Sequence, residues 1–256
     1  MLFRSYHSLQ ITATRHLTAG LGFLAAYTWS KALTYVDAAG PAQYYATFQD
    51  YYNRKLEHST AFFNYPQNFK LTWVYETPFG KGKRWDLHAF NYVLGGWQLA
   101  AIHNYRSGDP IAIFSSGLNT PDGFSSSIRP DVLTGVPLTL GPLPGHVDFF
   151  NPQPYLNPAA FANVPTTENG VPLRVGTAPR FINNLRGPRT LDEQFRMSKK
   201  FPIKERASIG VGVSLTNPFN RTNRYIADTT IGDSDFGMLY AGGGGRTLQL
   251  DARIDF

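Results

Sequence analysis

The sequence predicts an all-β fold of antiparallel strands, and three observations in its 256 residues lead to that prediction. Apolar and polar residues alternate over several segments, which is the period of a strand with two unlike faces. Aromatic residues make up 14% of the chain and charged residues only 16%, below the roughly 25% of an average globular domain. No apolar run approaches the ~20 residues that a membrane-spanning helix needs. An aromatic-rich β-protein remains, whose outer surface meets either water or lipid.

The alternation is clearest at residues 247–256. One face carries every second residue, and these residues are apolar: Leu248, Leu250, Ala252, Ile254 and Phe256. Polar or charged residues occupy the positions between them. The same pattern predicts six further strands, at about 5–15, 21–31, 67–77, 93–106, 190–200 and 207–215. The strand at 93–106 is expected to continue past Pro110 through 111–114.

Connections of two lengths join the predicted strands. Tight turns are expected at 17–20, 77–83 and 201–205, and long connections at 34–66, 115–189 and 220–245. Short turns at one rim and long loops at the other are typical of outer-membrane barrels, whose strands of ~9–11 residues cross the bilayer at a tilt. We therefore expect an antiparallel transmembrane β-barrel in which polar side chains face the lumen: Gln10, Thr12, Lys70, Glu76, Gln98, Asn104, Arg106, Asp251 and Arg253.

Aromatic residues on the apolar faces lie near the ends of the predicted strands. Rings that carry a polar atom favour the boundary between membrane and water. This position predicts membrane-interface aromatics at Tyr27, Trp29, Trp73, Tyr75, Trp97, Tyr105 and Phe256. The alternative is that these rings form the core stripe of a soluble β-sandwich, for instance a carbohydrate-binding module.

Seven strands do not complete such a barrel, because bacterial single-chain barrels have an even number of strands, eight or more. An open sheet in lipid would leave two edges, and each unsatisfied backbone group there costs several kcal/mol. We therefore expect the chain to be an incomplete part of a larger barrel. The start of the chain also lacks the apolar segment of a signal peptide, which an exported protein needs.

Short motifs along nearly the whole chain resemble those of a known family. They stand at 6–10 (YHSLQ), 27–33 (YTWSKAL), 78–83 (PFGKGK), 94–99 (LGGWQL), 107–110 (SGDP), 155–161 (YLNPAAF), 184–188 (NLRGP) and 217–221 (NPFNR). In this order they resemble the barrel of the Oar-like TonB-dependent transporters that are abundant in acidobacteria. Each motif alone is weak, whereas the ordered set is specific.

The resemblance implies that residues 1–256 are the C-terminal part of a TonB-dependent receptor barrel of about 22 strands, with long extracellular loops. It implies uptake or passage of an unknown extracellular ligand across the outer membrane of a Gram-negative cell. The family's plug and signal peptide are absent from this sequence, so contact with TonB is expected only through those missing N-terminal parts. Phe256 and the alternating apolar residues before it also resemble the signal read by the barrel-assembly machinery, which would pair with this edge strand.

Nothing in the sequence predicts an active site, and we expect neither catalysis nor a cofactor or metal. The absence of cysteine excludes disulfides and thiolate metal sites. The six histidines lack zinc-site spacing, and the 80–83 segment lacks the spacing and hydroxyl residue of a P-loop. The net charge of +6 comes largely from basic residues beside the short turns. Basic residues at a membrane rim meet anionic headgroups, and we expect no nucleic-acid partner.

Ligand contact is expected in the long loops, because binding residues concentrate on loops held by a rigid scaffold. The first long loop offers five aromatic candidates: Tyr44, Tyr45, Phe48, Tyr51 and Tyr52. A loop-packing cluster explains these rings equally well. Two functions besides the plugged transporter stay open: a passive porin or structural barrel, whose reading frame would lack a plug, and the soluble β-sandwich, which would fold as a monomer in water.

Overall fold

A computed structural model describes residues 4–35, 49–50, 52–86, 88–115, 128–145, 147–148, 150–204 and 207–256. Its long strands are β1 (Arg4–Thr18), β2 (Leu21–Thr34), β3 (Gln67–Glu76), β4 (Trp97–Arg106), β5 (Thr190–Lys204), β6 (Ala207–Thr216) and β7 (Thr247–Asp255). Each strand pairs antiparallel with the next one along the chain, so the seven form a single up-and-down sheet. The alternation of apolar and polar residues predicted every one of them.

The sheet is open, with β1 and β7 at its edges. Neighbouring strands alternate in direction, so the first and the seventh run the same way. Joining them directly would give a parallel pair. A ring in which all pairs are antiparallel therefore needs an odd number of further strands between β1 and β7. This geometry agrees with the expectation of an incomplete barrel.

The hairpin between β1 and β2 shows why the short turns are rich in glycine. Ala19 and Gly20 have φ values of 52° and 84°, the positive values that a two-residue turn of type I′ requires. The Gly20 carbonyl accepts a hydrogen bond of 2.7 Å from the Glu76 backbone N–H of β3. A Cβ atom at Gly20 would lie 2.8 Å from the Glu76 carbonyl oxygen, so this position excludes other residues on steric grounds.

Three sequence-based boundaries were wrong. The strand expected from residue 93 begins at Trp97, because Asn91–Leu94 forms a helical turn and Gly96, with φ of 73°, redirects the chain. Its continuation through 111–114 does not occur, since the Ile111 backbone pairs with Ile182 and Leu185 and enters the loops. Residues 201–204 extend β5 instead of forming the turn expected at 201–205.

The connections between the long strands contain short elements of their own. Among the described residues, the 3₁₀ turns are Arg54–Glu57, His88–Phe90 and Pro158–Ala160, and the short strands are Ser59–Thr60, Phe114–Ser115, Asp131–Val132, Gln153–Pro154, Phe161–Ala162, Arg224–Ile226, Thr230–Ile231 and Met238–Ala241. The main buried apolar cluster also lies in the connections, where Ile113 and Leu156 pack with Phe161, Leu185 and Phe236. The hydrophobic core therefore sits at the long-loop end, beyond the sheet.

A buried ionic network holds these loops together. The Glu57 carboxylate is fully buried and accepts hydrogen bonds from Arg129 Nη2 at 2.8 Å and Nη1 at 3.1 Å. The Gln49 backbone N–H donates to Glu57 Oε1 at 3.0 Å, and Arg180 Nε lies 4.0 Å from Glu57 Oε2. Arg180 also donates to the Thr34 carbonyl at the end of β2. The network thus connects the loop after β2, the loop after β4 and the sheet itself.

Candidate functional site: the two faces of the sheet

All nine residues predicted to face the lumen lie on one face of the sheet, which we call the polar face. Residues directly opposite each other in an antiparallel pair share a face. One row of opposed residues crosses five strands from Thr12 through Lys70 and Asn104. A second row joins Glu76 and Gln98 to Asp251 on β7. Gln10, Arg106 and Arg253 fall on the same face by the same register.

A ladder of ion pairs occupies the short-turn half of the polar face. Arg196 of β5 makes two parallel hydrogen bonds of 2.7 Å to the Asp251 carboxylate of β7, reaching across β6. Gly212 lies between them and leaves the space for this contact, since a Cβ atom there would stand 2.5 Å from Arg196 Nη2. Lys200 lies 3.4 Å from Asp255, which Arg253 also contacts at 2.5 Å.

The ladder lines a groove of about 470 Å³ that runs from β3 to β7. Four residues predicted for the lumen line this groove, namely Glu76, Gln98, Asp251 and Arg253. Nearer the long loops, Asn104 contacts Asp192 at 3.4 Å and the Arg106 guanidinium stacks 4.5 Å from the Tyr65 ring. Gln10 and Thr12 lie apart, exposed on the edge strand β1. The predicted set therefore shares a face but forms more than one cluster.

The opposite face, which we call the apolar face, carries the predicted interface aromatics. Tyr27, Phe69 and Tyr105 form one row, and Tyr75 stands opposite Leu99 in another. Trp29, Trp73 and Trp97 belong to the same face. Phe256 follows β7 and is almost completely exposed. Apolar side chains at the β7 edge are exposed too, Leu250 at 71% and Ile254 at 64%.

A chain of hydrogen bonds crosses the apolar face near the long loops. Trp73 Nε1 donates to His103 Nε2 at 3.1 Å, and His103 Nδ1 lies 3.1 Å from the Tyr105 hydroxyl. The Tyr105 hydroxyl donates to Glu193 Oε1 at 3.0 Å. Arg221 Nε donates to the same oxygen at 2.8 Å. Glu193 is buried, and Arg221 is its ion-pair partner on an otherwise apolar face.

Sequence reasoning missed Glu193 and Lys199, although a signal for them exists. Both stand at positions of β5 where the alternation calls for an apolar residue, and both are buried. Lys199 Nζ donates to the carbonyls of Tyr92 and Val93 at 2.5 and 2.9 Å and lies 4.8 Å from the Phe201 ring centroid. A charged residue that breaks the apolar register of a strand therefore indicated a specific polar contact.

The long-loop end holds a cavity of about 650 Å³ beside β1 and β2. Trp29, Lys31, Asn183 and Arg186 are among its lining residues. Burial lowers the pKa of Arg186, whose Nη1 donates to the carbonyls of Asn64 and Gly108 at 2.8 and 3.2 Å. Tyr52, the described member of the loop-aromatic set, is fully exposed and lies outside this lining. Tyr44, Tyr45, Phe48 and Tyr51 lie outside the described residues.

Ion pairs also order the loop after β4. The Arg174 guanidinium donates two hydrogen bonds to the Asp131 carboxylate, at 2.8 and 2.5 Å. These bonds, together with the Thr177 backbone N–H at 3.1 Å, hold the pKa of Asp131 below its usual range. The same pairing raises the pKa of Arg174. The loop is thus arranged around fixed charges as well as around an apolar core.

An open antiparallel sheet with one polar face, one apolar face and ordered loops at one end has the architecture of a barrel wall. Residues 2–249 match the family model of the outer membrane beta barrel domain, and the chain belongs to this family. Its location is the cell outer membrane. The match confirms the barrel prediction and argues against the soluble sandwich. No curated protein matches the chain. In the described part of the chain, no helix is long and apolar enough to cross a membrane.

Proposed function

We propose that the chain is part of the wall of a plugged, TonB-dependent transporter of the Oar-like type, which moves an extracellular ligand across the outer membrane. The observation that carries the proposal is the ladder on the polar face. Channels that select ions by charge use rings of one sign. Here Arg196 and Lys200 are each matched by a carboxylate, which suits a wall against which a folded polar plug docks.

The contacts of such a transporter divide between the two faces and the edges. The apolar face would meet the bilayer, with Tyr27, Trp29, Tyr75 and Trp97 at its boundaries. The edge strand β7 would be recognised by the barrel-assembly machinery through strand pairing. TonB would be contacted through N-terminal parts that precede the barrel in the resembling family. We propose no catalytic role and no cofactor for the chain.

The full-length protein in a planar bilayer tests this proposal against a passive pore. We expect no steady conductance from the full-length protein and an open pore once the segment preceding the barrel is deleted. Steady conductance from the full-length protein would show a passive porin. A full-length protein found only in the soluble fraction, with no heat-modifiable gel mobility, would contradict any barrel function.

A charge swap on the ladder sharpens the test. Arg196→Asp places two carboxylates against each other and should loosen a docked plug, which raises conductance of the full-length protein. Adding Asp251→Arg restores the pair in reverse and should restore closure. Arg246→Asp, an equal change of charge at an exposed loop residue, serves as the control. If the Arg196→Asp variant stays as closed as the wild-type protein, the ion pair between Arg196 and Asp251 does not support docking of a plug.

A further inference from the structure

Three arginines surround a small pocket at the long-loop end of the apolar face. The pocket has a volume of about 320 Å³, and Arg189, Arg221 and Arg224 line it together with Leu191 and Asn223. A second cavity of about 550 Å³ shares Arg189 and Arg224 and continues from it. No acidic residue belongs to the described lining of either cavity. The paired cavities therefore form a cationic recess.

The recess is anchored to the sheet, because the buried Glu193 carboxylate of β5 orients one of its arginines. Arg221 binds Glu193 through Nε, while its side chain remains 43% exposed. Its guanidinium also stacks 5.3 Å from the Phe219 ring centroid. Asn223 Oδ1 accepts the Leu191 backbone N–H at 3.3 Å and ties the 220–224 segment to the start of β5. These contacts hold Arg221 in place.

The other two arginines supply uncompensated charge. Arg224 Nη1 donates to the Pro144 carbonyl, a neutral acceptor. Arg189 is exposed, and neither it nor Arg224 forms an ion pair with any residue in the described ranges. With Glu193 offset by Arg221, two positive charges remain. A phosphate monoester carries about −1.5 to −2 charges at pH 7, and arginine binds phosphate through two parallel hydrogen bonds.

The position of the recess favours the phosphate of a lipid headgroup over a free phosphate ion. Leu191 stands opposite Tyr105, so the recess opens on the apolar face and not on the polar face. Exposed apolar side chains continue from it, with Phe219 at the loop and Met197 further along β5. Long loops mark the extracellular rim of an outer-membrane barrel. A headgroup held by the arginines would place its acyl chains along this strand face.

We propose that the recess walled by Arg189, Arg221 and Arg224 binds the phosphorylated headgroup of an outer-leaflet lipid. The proposal rests on the apolar face meeting the bilayer and not on ligand transport. Its effect would be to fix the rim of the barrel at the level of the lipid headgroups, as basic clusters do at charged membrane surfaces.

The test uses the full-length protein in nanodiscs made from equal parts of phosphatidic acid and phosphatidylcholine. We expect phosphatidic acid to be enriched among lipids that co-purify with the protein. The double variant Arg189→Gln/Arg224→Gln should weaken this enrichment about tenfold or more, and the corresponding double lysine variant by less, since lysine keeps the charge but loses bidentate binding. The double variant Arg54→Gln/Arg246→Gln is the control, because it removes the same charge from exposed positions.

Four readouts decide the outcome. Heat-modifiable mobility identifies variants that fold, and the double lysine variant carries the test if the glutamine variant does not. Equal retention of both lipids by the wild-type protein would overturn the proposal, as would an equal loss in the control variant. Displacement of the bound lipid by inorganic phosphate would show a free-phosphate site instead. In planar bilayers, the conductance of the full-length protein is expected to be the same with and without the arginine substitutions. A failure of the lipid proposal can therefore be distinguished from a failure of the transport proposal.

Discussion

Replacing Glu57 with glutamine should release the long loops from one another while leaving the sheet intact. The substitution keeps the size of the side chain but removes the charge that Arg129 contacts at 2.8 and 3.1 Å. Side-chain exposure is 0% for Glu57 and 6% for Arg129, so water cannot replace the lost partner without opening the loop. The arginine would be left as a buried charge without its carboxylate.

The size of the effect follows from this burial. Removing one partner of a buried ion pair costs about 3–5 kcal/mol. Glutamine still accepts a hydrogen bond from Arg129 or the Gln49 N–H, so we expect a value near the lower limit. A loss of about 3 kcal/mol raises the open population of the loops by a factor of about 10².

Hydrogen exchange measures that opening directly. Amides of Ala178 and Ile182 are protected by bonds to Pro130 and Ile111 and should exchange about a hundredfold faster in the variant. Amides in the centre of β4 should not change and provide an internal reference. Glu168→Gln, at an exposed loop position, is the matched control. An increase below about tenfold in the loop amides would refute the role assigned to the buried network.

Three further outcomes are expected. Because the pKa of Asp131 is held down by Arg174, the pair stabilises its loop above the ordinary pKa of aspartate, about 3.9. This contribution is lost as the pH falls through the lowered value. Hydrogen exchange on acidification should show this loss in the wild type and not in Asp131→Asn. Gly20→Ala combines positive φ with a backbone clash, whereas Gly82→Ala has positive φ and open space. Refolding into vesicles should therefore be impaired more by the first, and equal effects would contradict the clash. Deletion of Phe256 should lower assembly into the outer membrane in cells while leaving unfolding of the assembled barrel unchanged, and normal assembly would count against recognition of this terminus.

The strands could be predicted from the sequence because their signal is local. A strand with one apolar and one polar face repeats every two residues, and each of the seven shows that period without reference to its neighbours. All nine polar candidates lie on one face because each strand keeps the two-residue period. A register shift of one residue would have moved a strand's candidates to the other face. The prediction failed at residue 93 because a helical turn and Gly96 delay the start of the strand. It failed at residue 111 because the Ile111 backbone pairs with the loops although the apolar pattern continues.

The charged contacts could not be predicted in the same way, because their partners are far apart in the chain. Arg196 and Asp251 meet across a glycine of β6, and Arg129 reaches Glu57 from another loop. The sequence around Arg196 or Arg129 does not identify the carboxylate with which the arginine pairs. The recess formed by Arg189 and Arg224 likewise depends on the packing of separate loops.

The local pattern of residues is enough to specify a sheet with two chemically distinct faces, because alternation is a property of each strand alone. The position of the core, and which charges are neutralised and which remain available, became apparent only in the folded chain. Those features depend on long-range packing of the loops over one end of the sheet. Whether a strand face is apolar or polar is set by residues that are close together in the sequence. Burial and ion pairing are set by residues that come together only when the chain is folded.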